Sequence, residues 1–377
     1  MKRSHRTRFF ILIMISLFIV ISKGTAQIVV DTLYWNGTAY YAYGYVTSIQ
    51  TPNLTNVNVI KFETDAWTSS VKKKIKTYYQ NNFPQATFLS EATSTYNCHN
   101  YAWNMTEGGD DYWMNDPSAY MTDWSYVETS SAYAEKIFYY MVPYGYHSAV
   151  PSSVSGMYDS KWGSAPLMRH APTYGPYSNM NYRKYYAKPP KISGHNIVTN
   201  TVSSTFSLAF APLNLTINWI FNTSLFTAVG STTGSSVTIK AKSSTTVGTG
   251  TLTAQFKDSG GNVVATSTYA IYANRLPTQS TPSLRVVRSS DGVEVYPSST
   301  GLCPNTFYYA YLSGTSSSYS YNWDMNHATV YSSSSSQAYF KTDDQGWTFL
   351  DIYAVDTPTG VSQNIYGVTL YGGSSCD

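Results

Sequence analysis

Runs rich in β-branched and aromatic residues open the chain after its first segment. Ile28-Val29-Val30 and Tyr40-Tyr41-Ala42-Tyr43-Gly44-Tyr45-Val46 predict two short strands, with Asn36-Gly37 as the turn between them. The period then changes. Trp67, Val71, Ile75 and Tyr78 or Tyr79 recur at helical spacing, and Lys72-Lys73-Lys74-Ile75-Lys76 supplies the wet face of that helix. Phe83-Pro84 breaks the pattern, and Ala86 to Glu91 leads into Thr95-Tyr96-Asn97-Cys98-His99-Asn100-Tyr101-Ala102-Trp103. Here Asn97 is a good N-cap, which makes Cys98 the first residue of a second helix. Ala102 and Met105 carry the same face into a core, and Gly108-Gly109 stops it.

Trp113 to Trp124 is irregular and rich in Asp, Asn and aromatics, and it reads as the lining of a groove or as a packed surface loop. Ala134 to Tyr140, His147 to Val150 and Met157 to Gly163 predict an antiparallel meander, with Pro143-Tyr144-Gly145 as its first turn. Tyr182 to Pro190 reads as a linker, because the Pro pair fits neither a helix nor a central strand. From Lys191 short β-rich runs recur between turns, and the pair Asn218-Trp219 returns as Asn322-Trp323. That rhythm resembles two tandem immunoglobulin- or PKD-like sandwiches with the tryptophans in their cores. The predicted organisation is a signal peptide over 1–26, a first domain over 27–190 and all-β modules over 191–277 and 278–377.

Composition changes the picture mainly at the N-terminus. Met1 to Arg8 is basic, Phe9 to Ile21 is almost wholly apolar, and Gly24-Thr25-Ala26 offers small residues for cleavage, which predicts a secretory signal peptide. Its apolar run is too short for a comfortable membrane span, and no second one follows. The formal charge is +3, but five of the basic residues lie in this leader, so the remainder carries −2 and nothing suggests a nucleic-acid binder. Only 12% of residues are charged while 36 are Tyr, a balance typical of extracellular β-rich chains. An exported, secreted or cell-surface protein is therefore expected.

Three cysteines in an oxidising compartment leave at least one unpaired. Cys303 and Cys376 lie together in the last part of the chain and are expected to pair, which leaves Cys98 free. At a helix start, unpaired backbone N–H groups favour a thiolate, so Cys98 is a candidate nucleophile; the competing reading is a small buried hydrophobe. His147, at the opening of a predicted strand, is the candidate base. His99 follows Cys98 directly and would point about 100° away around the helix. His195 and His327 lie in the β-rich remainder without metal-ligand spacing, and no phosphate loop or dinucleotide fingerprint occurs, so neither metal nor cofactor is expected.

A cysteine-bearing helix followed by a meander with a histidine early in its second strand resembles the core of papain-like hydrolases. Cys98, Tyr101 and Trp103, in the pattern Cys-x-x-Tyr-x-Trp, resemble the nucleophile motif of the bacterial CHAP class, and the strand order resembles the NlpC-like cell-wall peptidases. The likeness covers roughly Thr95 to His170. It implies an α+β papain-like first domain and a third polar residue, on the strand after the histidine, that orients the imidazole. Ser160 stands closest to that place, with Asp159 beside it and His170 as a further candidate. Only one of Asp159 and Ser160 can face the histidine, since neighbours on a strand point to opposite sides. Lys161, carrying only donors as an ammonium, cannot accept the imidazole N–H.

The expected function is a secreted cysteine hydrolase that cleaves amide bonds through a thioester. Cell-wall peptide is the substrate class implied by the resemblance, and the β-modules would hold the protein on a surface or ligand. The alternative from another class is a non-catalytic surface or adhesion protein with a papain-like shell, since aromatics also serve recognition.

Overall fold

Asn36 and Gly37 both take positive φ, 49° and 83°, the pair of conformations that a two-residue hairpin turn requires. They join β1 (Ile28–Trp35) to β2 (Thr38–Gln50), with Trp35 opposite Thr38. The chain turns again into β3 (Asn56–Phe62), and Leu33, Ala42 and Phe62 face one side of the resulting sheet as core residues. Helix α1 (Ser69–Asn82) lies on that side. Thr68 caps it by accepting from the Val71 N–H, and Val71 and Ile75 are buried. Of the two tyrosines left open by the periodicity, Tyr79 packs inward and Tyr78 is exposed. The lysine face is wet as expected, with Lys72 paired to Asp65 at 2.5 Å.

The computed structural model describes residues 28–141, 145–177, 180–278, 282–298 and 301–372. The predicted signal segment, Pro143 and Tyr144 of the first meander turn, and Cys376 lie outside these residues. The chain divides into two units. One holds the residues up to Lys191 with Ala209–Thr216 and Phe256–Thr266, and the other holds Ile192–Leu208, Ile217–Gln255 and the chain from Ser267.

The remaining elements of the first unit are β4 (Thr87–Ser90), α2 (Cys98–Trp103), β5 (Trp113–Met114), α3 (Ala119–Thr122), β6 (Val127–Thr129), β7 (Lys136–Tyr140), β8 (Tyr146–Pro151), β9 (Tyr158–Lys161), β10 (Leu167–His170) and β11 (Arg183–Ala187). They build a four-stranded sheet in the order β1-β2-β3-β5 and a seven-stranded one in the order β4-β10-β9-β8-β7-β11-β6. Helix α2 shares one core with both: Ala102 and Trp103 pack with Val57 and Met114 from the first sheet and Phe138 and Val150 from the second. The segment 113–124, read as groove or loop, instead puts Trp113, Met114 and Tyr120 into the interior through β5 and α3.

This corrects the expected fold class. An α+β papain-like first domain does not form: strands take 47% of the residues and helices 9%, and the three α-helices among the described residues are short. The helix carrying Cys98 has six residues and ends well before Gly108. Its stop is local. The Asn104 N–H closes on the Asn100 carbonyl while its side-chain amide donates to Asn100 Oδ1 and to the Asp110 carbonyl, a competition that short polar side chains offer to a helical ladder. Met105 therefore falls in a 3₁₀ turn, Met105–Glu107, rather than on the helix.

In the second unit, strands Ile192–Ser193, Ser204–Leu208, Ser236–Ala241 and Phe226–Ala228 form one sheet in that order, and Trp219 is buried as expected. Further along, a five-stranded sheet (Glu294–Tyr296, Ser283–Arg288, Phe307–Ser313, Gln337–Thr342, Ala328–Ser333) and a three-stranded one (Ser320–Asn326, Thr348–Val355, Ser362–Leu370) enclose a core of Val286, Tyr308, Phe340, Leu350 and Ile352. Trp323 sits at the margin of that core rather than in it, with its indole N–H on the Ser334 carbonyl. Ile197 and Leu276 join the same core.

Candidate functional site

Cys98 opens α2 because Asn97 breaks from an extended backbone and caps the turn. The Asn97 Oδ1 accepts from the Asn100 N–H at 3.1 Å, and its Nδ2 donates to the Met114 carbonyl at 2.7 Å, so the cap also ties the helix to β5. The thiol is free but only 6% exposed. Burial pushes it up to about 11, while the backbone N–H groups of Ser148, His99 and Cys98 itself and the charge of Lys161 work in the opposite direction. Burial therefore outweighs the helix start, and the resting sulfur is a thiol.

His147 lies one residue into β8 and is fully buried. Strand alternation divides β8 between two faces. Ser148 turns to α2, where its hydroxyl meets His99 Nδ1 at 2.7 Å and the Trp103 indole N–H at 2.9 Å. His147 turns the other way, its ring centroid 5.5 Å from that of Tyr139 and 4.6 Å from that of Tyr177. Neither imidazole nitrogen has a hydrogen-bond partner. Burial, followed by His170 and His99, holds the ring well below its ordinary pKa and hence neutral. The two candidates meet through neighbours: the Ser148 N–H reaches the Cys98 thiol, and Tyr177, which packs on His147, feels the charge of Cys98.

The three candidate orienting residues are each engaged elsewhere. Asp159 holds Arg169 through two contacts, 2.8 and 3.0 Å, on the α2 side of β9. Ser160, on the opposite face, takes the Trp162 indole N–H at 3.0 Å and lies 2.7 Å from His170 Nε2. His170 Nδ1 is 2.8 Å from the Ala171 carbonyl, so Nδ1 carries the proton and Nε2 accepts the Ser160 hydroxyl. Ser160 and His170 thus close a satisfied network with Trp162, and His170 acts on His147 only at longer range. His99, set aside as a base for its direction, spends Nδ1 on Ser148, and burial lowers it to about 4.

Two residues of this neighbourhood went unread in the sequence. Tyr177 lies beyond the meander in an irregular stretch that carries no motif. Lys161 was legible as a donor only, yet a lysine that alternates with buried neighbours on a central strand signals a buried amine. Among the described residues no group of three or more His, Cys, Asp or Glu side chains could hold a metal ion, and no helix is long and apolar enough to cross a membrane. No family model matches this chain, and no curated protein matches it.

Proposed function

We propose that the protein is an exported cysteine hydrolase acting on amide bonds of peptides, cell-wall peptide among them, on a mostly β framework. One observation carries this reading: a fully buried imidazole, His147, has both nitrogens unpartnered and adjoins the peptide N–H that donates to the free thiol. Buried polar groups are nearly always satisfied, so an orphaned imidazole beside a thiol calls for a ligand or a reaction. In this reading Cys98 attacks the carbonyl carbon, His147 takes the thiol proton and returns it to the leaving amine, and the Cys98 N–H helps to hold the oxyanion. The chemistry needs no cofactor, and similar constellations serve unrelated folds. The β-sheets after Lys191 would place the enzyme on a surface or ligand.

A second reading has its own support. The thiol, almost wholly buried and held protonated up to about 11, fits a non-catalytic surface protein in which Cys98 is a packing residue. Turnover of small peptide amides and esters, together with alkylation of the folded protein, separates the two. The hydrolase reading expects turnover that falls by about 10²-fold or more in H147A and is lost in C98S. Turnover that survives C98S, or a thiol that alkylates only after denaturation, refutes it and leaves the surface protein.

A further inference from the structure

Lys161 ends β9 and is fully buried, and its bonds go to carbonyls rather than to a carboxylate. Nζ donates to Thr93 O at 3.0 Å and to Gly163 O at 2.7 Å and stands 4.9 Å from the centre of the Tyr96 ring. Asp65, the nearest acid to act on it, is already held by Lys72 at 2.5 Å and by the N–H groups of Trp67 and Ser94.

A neutral amine has two N–H groups and a lone pair, whereas an ammonium has three N–H groups and no lone pair. Two carbonyls satisfy both donors of the amine and leave its lone pair open; the same two leave an ammonium one donor short. The Tyr96 ring gives that ammonium a partial partner, so both protonation states can be housed. Thr93 and Tyr96 belong to the segment that runs into Cys98, and α2 packs on both β8 and β9. The amine is therefore fixed to the turn that presents the thiol, and the two groups act on each other electrostatically.

We propose that Lys161 is the proton acceptor for Cys98, so that the reactive state is a thiolate facing an ammonium; this rests on the hydrolase reading and assigns its first proton transfer. The S–H bond breaks with its electron pair left on sulfur, the proton forms a third N–H bond on Nζ, and no co-reactant is consumed. His147 then serves the later transfer to the leaving amine. Burial pulls the ammonium down to about 7, with Asp65 and Cys98 opposing and Lys72 adding to the fall, which makes the amine available at neutral pH. The other groups facing the pair are Tyr96, Tyr177, His99 and His147. The tyrosines are held neutral by burial first, and so are the histidines.

The test is a pH titration of thiolate ultraviolet absorbance on the full chain, with C98S as the blank, which reads the sulfur whether or not reagents reach it. Wild type should begin to show thiolate near neutral pH, and K161M should show it only at a pH higher by about one unit or more. Coincident curves overturn the proposal. Thermal unfolding checks that K161M is folded. Should it not be, nuclear magnetic resonance of lysine labelled at Cε serves instead: the Lys161 midpoint should fall in C98S, and an unmoved midpoint also overturns the proposal. Peptide turnover is measured in parallel. A Lys161-dependent thiolate without turnover sinks the hydrolase and leaves this pair standing, whereas turnover with an unchanged K161M titration does the reverse.

Discussion

Replacing Asn97 by Ala tests how the thiol is placed. The side chain accepts from the Asn100 N–H at 3.1 Å and donates to the Met114 carbonyl at 2.7 Å in a buried setting. Loss of an N-cap costs about 1 kcal/mol, and a buried carbonyl left without its donor costs about 1 to 3 kcal/mol more, so N97A should destabilise the first unit by roughly 3 kcal/mol. With a urea dependence of about 2 kcal/mol per molar, the midpoint should fall by about 1.5 M. The readout is a short alkylation pulse at each urea concentration, followed by the mass of the Cys98 peptide, which counts exposure of this unit alone. N97S, which keeps a cap acceptor but cannot donate as the amide does, should fall between the two. A shift of N97A below about 0.3 M would show that neither the cap nor the tie to β5 holds α2 in place.

Two further outcomes follow from charge and from the cysteine count. Glu107 pairs with Lys136 at 2.5 Å and Lys188 at 2.6 Å, and although burial alone would raise it, the two lysines hold it down at about 2. Its folded value lies below its unfolded one of 4.5, so it contributes stability that is complete above about 4.5 and is lost as pH falls toward 2. E107Q should lower the urea midpoint at neutral pH, because it strands the buried Lys136, and should flatten the acid limb; a variant that tracks wild type from pH 7 to pH 3 contradicts this. Non-reducing peptide mapping should recover Cys303 joined to Cys376, a closure worth on the order of 4 kcal/mol in the chain-entropy picture, and Cys98 found in a disulfide would remove both that pairing and the nucleophile.

Local rules carried the sequence reading furthest where a few adjacent residues settle the outcome. Asn36-Gly37 can supply two positive φ values, so the first hairpin was legible. Thr68 with the Val71 and Ile75 spacing marked α1, Asn97 marked the start of α2, and alternation marked the strands around His147 and Ser160. What the residues could not state was which partners would outbid one another at a distance. Asp159 was committed to Arg169 and Ser160 to His170 only once β9 and β10 lay in register. The length of α2 turned on Asn104 meeting Asp110, and the sign of the Cys98 shift turned on how completely two sheets enclose the helix, since burial here exceeds the pull of the N–H groups and Lys161. Ala209–Thr216 and Phe256–Thr266 join the first unit from far along the chain, where Leu213 donates to the Glu128 carbonyl and Phe210 stacks on Tyr133. Sequence by itself determined the elements and the chemistry each could carry. Tertiary structure decided burial, protonation and pairing, because those energies depend on neighbours that periodicity and propensity do not encode.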